Sequence, residues 1–432
     1  MQTAEASAQK KKGLYYGWYI VIAAFVGTSL HGGIYLYGFS AFFLPLVNEF
    51  RVSRAALSGA FSLSRLEGGT LAPLTGFLVD RIGPRKVMLF GIIWMGLGFI
   101  IMSRVNSLSM FYLVFLGFLS IGAGFSMGSV MYAVVGNWFI KKRSRAFGIF
   151  NSGWGPGGMA AAWLGWLITQ YGWRTTMVMV GILIWCVGIP VASAMRHKPE
   201  QYGMLPDGEA PTPAIVGSET ASKAPVEYNF GVWEAVRTKA FWLITIAFSM
   251  GFIVTDAVAV HQVPFLVGLG YSPEVAGAVV GAMTMITIVG RLGFGWLGDI
   301  VDKRYLLAGC FILQCIGMVV YAGTTHIWQI IFFLVVFSPA YGGLRPLAAS
   351  VRGEFFGRKN FATIQGVMAF VQMWGTIASP VFTGWIFDTT GSYRIAFTTF
   401  ALANLLAVVA ILLAKRPIPK SEVAHREPQP VS

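Results

Sequence analysis

Charge is scarce in this chain of 432 residues: Asp, Glu, Lys and Arg together make up 12%, against about 25% in an ordinary soluble domain. With 56% hydrophobic residues, that scarcity excludes a soluble globular fold and points to a polytopic membrane protein. Acidic groups are the scarcer sign, 18 against 32 basic ones, for a net charge of +14. Nucleic-acid binding would need the basic residues gathered on one folded face, whereas here they punctuate apolar segments. Cysteine is almost absent: Cys186, Cys310 and Cys315 all fall in apolar runs without zinc-type spacing, so neither a disulfide framework nor a structural metal site is expected. No Ser/His/Asp set, metal-ligand cluster or phosphate-cradling loop is recognisable, so no enzyme and no cofactor are expected. The start, residues 1–12, is polar and ends in Lys10-Lys11-Lys12, with no short apolar core or small-residue cleavage site. It reads as a cytoplasmic start rather than a signal peptide.

What remains is apolar sequence in long pieces. Runs of about 20 residues span a hydrocarbon core of roughly 30 Å. Twelve are legible, at 16–46, 55–79, 87–103, 108–138, 146–170, 175–195, 240–268, 274–298, 305–323, 328–352, 361–386 and 393–414. Lys10 to Lys12, Arg81, Arg85, Lys86, Lys141 to Arg143, Arg145, Arg196, Lys198, Lys223, Arg237, Lys239, Lys303, Arg304, Arg352, Arg358 and Lys359 fall on one side. Arg51, Arg54, Arg104, Arg174 and Arg394 fall on the other. The positive-inside rule then puts both termini in the cytoplasm, with the chain in the inner (plasma) membrane. A polar stretch with five prolines, 196–238, reads as a flexible linker between a first bundle at 1–195 and a second at 239–415, followed by a tail at 416–432. The expected fold is an all-α membrane protein of twelve transmembrane helices in two pseudo-symmetric six-helix bundles. The lipid bilayer is its expected surrounding, with no nucleic acid and no obligatory protein partner.

The two halves repeat a loop. Gly76-Phe77-Leu78-Val79-Asp80-Arg81-Ile82-Gly83-Pro84-Arg85-Lys86 follows the second span, and Gly295-Trp296-Leu297-Gly298-Asp299-Ile300-Val301-Asp302-Lys303-Arg304 follows the eighth, with the Gly-to-Asp spacing preserved. An acidic-then-basic turn lets a carboxylate meet a neighbouring helix N-terminus. Asp80, Arg81, Arg85, Asp299 and Arg304 are therefore expected to latch one face, and repeated halves favour a rocking transporter.

Arg291 is the sharpest functional clue. It lies in the apolar run Val279 to Trp296, which carries no other charge. Eight residues before Asp299 place it roughly 12 Å inside the membrane at 1.5 Å per residue. A guanidinium does not lose its proton and is costly in hydrocarbon, so it must face a partner or a watery cavity. A small organic anion is one such partner, because a carboxylate fits the guanidinium fork with two parallel hydrogen bonds. Other intramembrane polar groups are Arg65 and Glu67 in the second span, Asp256 and His261 in the seventh, and Arg345 in the tenth. Arg65 and Glu67 point apart and suit a structural or gating network. A buried Asp256 can alternate between charged and neutral, and His261 titrates near neutral pH. Asp256 is the first candidate for proton coupling, His261 the second and Glu67 a third. Five residues put Asp256 and His261 on different helix faces. Arg345 is a rival anion ligand, and the adjoining Pro346 suggests a broken helix. Tyr132 and Tyr341 lie at similar levels in the two halves, where they could close a passage.

The chain resembles the major facilitator superfamily over nearly its whole length, the first loop copy looking like that superfamily's loop between its second and third helices. More narrowly, Trp138-Phe139-Ile140-Lys141-Lys142-Arg143, followed by Ser144 to Gly153, is similar to the monocarboxylate transporter signature, and Gly17-Trp18 resembles that family's entry motif. Tyr15-Tyr16 departs from it, as in a bacterial branch near the oxalate/formate exchangers. The resemblance implies proton-linked symport of a small monocarboxylate such as lactate or pyruvate, with Arg291 holding the carboxylate and His261, Thr287, Tyr132, Tyr341 and Arg345 around it. Thr287 stands where many family members carry an aspartate, so proton coupling must use other groups. The exchangers pair the arginine with a lysine in the eleventh span, where this chain has only Gln365 and Gln372. That absence favours a monoanion, with carboxylate exchange as the alternative. A non-transporting carboxylate receptor is a reading from another class, disfavoured by the short linker and tail.

Overall fold

The computed structural model describes residues 14–157, 160–209 and 229–418. Lys10 to Lys12, Lys223 and the tail beyond 418 lie outside the described residues. Among those described, ten helices are individually long and apolar enough to cross a membrane. Two further spans complete twelve. One is α2, Arg54–Ile82, whose Arg65, Glu67, Asp80 and Arg81 lower its hydropathy. The other comes from a helical stretch that splits at Gly172, whose φ of 76° turns the chain between α5 (143–157 and 160–171) and α6 (173–194). The remaining spans are α1 (Tyr16–Phe50), α3 (Pro84–Met102), α4 (Leu108–Trp138), α7 (Lys239–Gly268), α8 (Pro273–Leu297), α9 (Lys303–Ala322), α10 (Ile327–Phe356), α11 (Phe361–Thr390) and α12 (Arg394–Leu413).

Each half has its own apolar interior. Phe39, Phe111, Phe115 and Leu119 anchor the first; Phe248, Phe311 and Leu344 at one level and Phe265, Tyr321 and Phe397 at the other anchor the second. Lipid tails are as apolar as these side chains, so burial alone cannot hold helices together, and small residues that let backbones touch carry much of the packing. A Cβ at Gly290 would overlap the Pro339 carbonyl oxygen, and one at Gly342 the Thr287 carbonyl, which locks α8 onto α10. The same device joins the halves: Gly76 lies against Ala362 and Gly366 against Ala72, between α2 and α11, while Gly148 of α5 lies against the Arg291 carbonyl and Gly295 of α8.

Helix irregularities fall where the sequence does not announce them. α10 passes unbroken through Pro339 and Pro346, so the break anticipated beside Arg345 is absent. The proline forfeits one backbone bond, and close packing of Gly342 against α8 holds the helix together across it. Instead α1 widens into a π-helical turn at Gly32–Tyr37, α4 does so at Phe115–Ser120, and α4 breaks at Met127–Gly128, where Gly128 adopts φ 59°.

The stretch expected as a flexible linker is fixed at both described ends, the second by Asn229 Oδ1, which accepts the Arg358 N–H at 3.0 Å, and by the Phe230 N–H, which donates to the Phe356 carbonyl at 3.1 Å. Asp207 accepts the backbone N–H groups of Ile140, Lys141 and Lys142 at 2.9, 2.9 and 3.0 Å. Arg196 stacks between Tyr16 and Tyr202 at 4.0 and 4.4 Å, and Glu200 pairs with Arg358 of the other half at 3.0 Å. Residues 210–228 lie outside the described residues.

Gly148→Leu is expected to cost roughly 1–3 kcal/mol through overpacking and to lower the melting midpoint in detergent. Gly165→Ala, with nothing within 4 Å of the added carbon, should leave that midpoint unchanged; equal midpoints for the two variants would refute the close-approach account.

Candidate functional site

The repeated carboxylates seal one end of the molecule. Asp80, at the end of α2, accepts the Thr363 N–H at 2.9 Å, the Thr363 hydroxyl at 2.7 Å and the Ala362 N–H at 3.4 Å, all at the start of α11. Asp299, just past α8, accepts the Ser144 N–H at 2.8 Å and the Arg145 N–H at 3.3 Å, at the start of α5. Each half thus caps the other's helix N-terminus, where unpaired N–H groups and the helix dipole favour an anion. Burial raises the Asp299 carboxyl above its ordinary range, and the two N–H bonds and Arg145 partly pull it back. A Ser144–Ser350 hydroxyl bond of 2.8 Å and an Arg358 bond to the Asn137 carbonyl of 2.8 Å reinforce the seal.

The basic members of the repeat do not join it. Arg304 pairs with Asp302 of its own loop at 2.7 Å. Arg81 and Arg85 are exposed, Arg81 lying near Phe77 of its own helix, and neither forms an ion pair among the described residues. The carboxylates meet helix N-termini as the repeat suggested, while Arg81, Arg85 and Arg304 add no contact between the halves among the described residues.

Beyond the seal a cavity of about 370 Å³ lies between the halves, lined by Arg65, Phe252, Asp256, Arg345, Gln372 and Thr376 among others. Arg65 belongs to the first half, the rest of these to the second. Arg345 lies over the Phe252 ring at 5.2 Å, and no ion pair joins it, Arg65 or Asp256 among the described residues. Arg291 lies deeper, 6% exposed, and its Nε and Nη1 have no hydrogen-bond partner. Around it, within electrostatic reach, are Tyr37, Tyr132, Tyr341 and Arg345. Tyr132 donates to Asn151 Oδ1 at 2.6 Å, which ties α4 to α5 beneath that group.

Two residues grouped with Arg291, Thr287 and His261, and the third proton-coupling candidate, Glu67, have their polar groups turned elsewhere. The Thr287 hydroxyl donates to the Thr284 carbonyl at 2.6 Å, and its backbone packs on Gly342, so Thr287 is held in the α8–α10 interface. His261 stands 22 residues into α7 from Lys239, roughly 33 Å along the axis. Its Nε2 lies 2.9 Å from the Pro380 carbonyl oxygen and its ring 5.4 Å from Tyr393, toward the unsealed end. Arg291, by contrast, is only six residues from Leu297 at the sealed end. Glu67 turns into the first half beside Ser120 and Tyr35, its Oε2 buried without a partner; it is not among the groups lining the cavity with Asp256.

Sequence reasoning missed Tyr37 and Asn151. Tyr37 sits at the end of the α1 π-turn, within electrostatic reach of Arg291, Arg345 and Tyr341. The Gly32-Gly33 and Gly38 around it were the available signal, since flanking glycines permit an irregular turn.

The family model of the Major Facilitator Superfamily matches residues 18–292 and 257–432. The chain belongs to the Major Facilitator Superfamily. This superfamily member is 26% identical over 409 residues to "Monocarboxylate transporter 13" of Rattus norvegicus, covering 92% of this chain and 88% of that protein. To "Monocarboxylate transporter 12" of Xenopus laevis it is 24% identical, covering 93% and 89%, and to "Uncharacterized MFS-type transporter YcxA" of Bacillus subtilis 23%, covering 91% and 94%. The solved structure of the human organic anion transporter MFSD10 (TETRAN) superposes with a TM-score of 0.68 at 13% identity, covering 91% of this chain and 99% of that one. The protein is a multi-pass membrane transporter with the superfamily's two six-helix halves, and its relatives are transporters rather than enzymes.

Removing a cap by Asp80→Ala or Asp299→Ala is expected to cost the sealed arrangement about 1 kcal/mol, a roughly fivefold shift toward opening at that end. Labelling of a Ser350→Cys background by an impermeant maleimide should accelerate accordingly. Unchanged labelling in both variants would remove the latch role.

Proposed function

We propose that this transporter moves a small monocarboxylate of the lactate or pyruvate type together with a proton by alternating access. Arg291 binds the carboxylate, assisted by Tyr132, Tyr341, Arg345 and Tyr37. The observation that carries the reading is a fixed cation, deep between the halves, with hydrogen-bond donors unused and no acid beside it. A buried guanidinium left unpaired costs several kcal/mol, and an incoming carboxylate supplies both the charge and the two acceptors it lacks. Relatives named monocarboxylate transporters make this cargo the first choice. His261 and Thr287 are left out of the binding set because their polar atoms are engaged elsewhere.

Asp256 is the preferred proton carrier: it lines the cavity with Arg345 and Arg65 without an ion pair, so its charge can change as cargo arrives. One proton with one monoanion moves no net charge. The positive-inside rule assigns the sealed, lysine- and arginine-rich end to the cytoplasm, with both termini there and the cavity approached from outside. Exchange of carboxylates is the second reading, favoured by Arg345 as a second cation beside Arg291, an arrangement able to clamp two carboxylates.

Arg291→Gln should reduce uptake of labelled lactate roughly hundredfold or more without lowering the melting midpoint of the unliganded protein; undiminished uptake would discard the assignment. In proteoliposomes, an inward proton gradient should accelerate lactate uptake into empty vesicles, and Asp256→Asn should abolish that acceleration. Uptake that ignores the gradient and requires carboxylate on both sides would establish exchange instead.

A further inference from the structure

Arg352 counts in the sequence among the basic groups flanking a loop, but it lies inside α10, four residues before its end at Phe356. Its side chain is 8% exposed, its Nε has no hydrogen-bond partner, and it takes part in no ion pair among the described residues. The nearby Glu354 is engaged by Lys303 at 2.9 Å. Arg143, also buried at this end, contrasts with it by donating to the Phe139 and Gly136 carbonyls. What Arg352 has is the face of Phe248, 5.2 Å from its guanidinium carbon, a contact too weak to offset the desolvation of a whole cation.

Its register supplies a reason to bear that cost. Seven residues separate Arg345 from Arg352, two helical turns, so both leave the same face of α10 roughly 10 Å apart. Side chains on a helix lean toward its N-terminus, which carries the Arg352 guanidinium back toward Arg345 and away from the helix end. Tyr132 of the other half lies within electrostatic reach of Arg291, Arg345 and Arg352 alike. Two residues before Arg352, Ser350 bonds Ser144 across the seal. Arg352 therefore lies behind the closed end, one step past the central cations.

We propose that Arg352 is a second carboxylate-binding station, serving the cargo between Arg291 and the basic face once the seal opens. The station rests on the monocarboxylate reading and fixes where the anion goes next. In the sealed state Phe248 covers the guanidinium; when the halves part at this end, the released carboxylate meets a cation before it meets bulk water, and cargo entering from that face meets Arg352 first.

Full-length protein in proteoliposomes of known sidedness, with labelled lactate offered to one face at a time, tests this. Arg352→Gln should raise KM at the basic face roughly ten- to hundredfold, the loss of a hydrogen bond to a charged group, with KM at the other face changed less than about twofold. Arg352→Lys, which keeps the charge but loses the fork, should recover most of the basic-face affinity. An equal rise at both faces, or none at either, overturns the station. Should Arg352→Gln not assemble, Arg352→Met, which keeps the stem without the charge, decides in its place: a KM rise confined to the basic face supports the station, and an unchanged or symmetric KM overturns it. Arg291→Gln run in parallel separates the two ideas. If it transports normally, the monocarboxylate reading fails; if it is inactive while Arg352→Gln is symmetric, only the station fails.

Discussion

Two carboxylates seated on the helix N-termini of the opposite half hold the conformation in which everything else is seen. Asp80 on the start of α11 and Asp299 on the start of α5 satisfy backbone N–H groups that a helix leaves unpaired, and they do so where glycines already bring the backbones into contact. Neither element suffices by itself. Glycine contact without the caps leaves polar groups unpaired at the seam, and caps without the glycines would have no short approach to bridge. The pairing is reciprocal, α2 to α11 and α8 to α5, so a single geometry, used twice, closes one end and leaves a cavity toward the other.

Within that frame the unusual feature is an excess of cations. Arg65 and Arg345 line the cavity together with the acid Asp256, and Arg291 and Arg352 lie buried outside it. A soluble protein would neutralise such a set with internal ion pairs. Under the proposed function the set stays unmatched because the missing charge arrives with the cargo, and a satisfied arginine would compete with it. Tyrosines suit such surroundings: Tyr37, Tyr132 and Tyr341 offer neutral hydroxyls and apolar ring faces beside these cations, which fits the small acid proposed as cargo.

The latching aspartates were legible because they stand in a short repeated string whose spacing survives in both halves, and Arg291 because a lone cation in an apolar run has few explanations. Arg352 was not legible: a basic residue near the end of a span looks the same in sequence whether it snorkels to water or folds back along its helix into the interior. His261 misled for the converse reason, since its polarity suggests function while the Pro380 carbonyl and Tyr393 receive it. Pro346 suggested a break in α10 that close contact with α8 prevents, and the π-turns that place Tyr37 carry no periodicity to read. The tethered part of the linker was hidden as well, because proline-rich polar sequence gives no hint that Asp207 will find three backbone N–H groups in one turn.

Composition and run length by themselves determined the all-helical membrane fold and the number of spans, because hydrocarbon leaves no other way to satisfy a crossing backbone. The distribution of lysine and arginine determined which ends of the spans belong together. Which of the intramembrane charges share a cavity, which are paired and which stay unmet was decided by tertiary structure alone. Those relations depend on helix rotation and on contact between halves some two hundred residues apart in the chain, and a one-dimensional pattern holds no record of either.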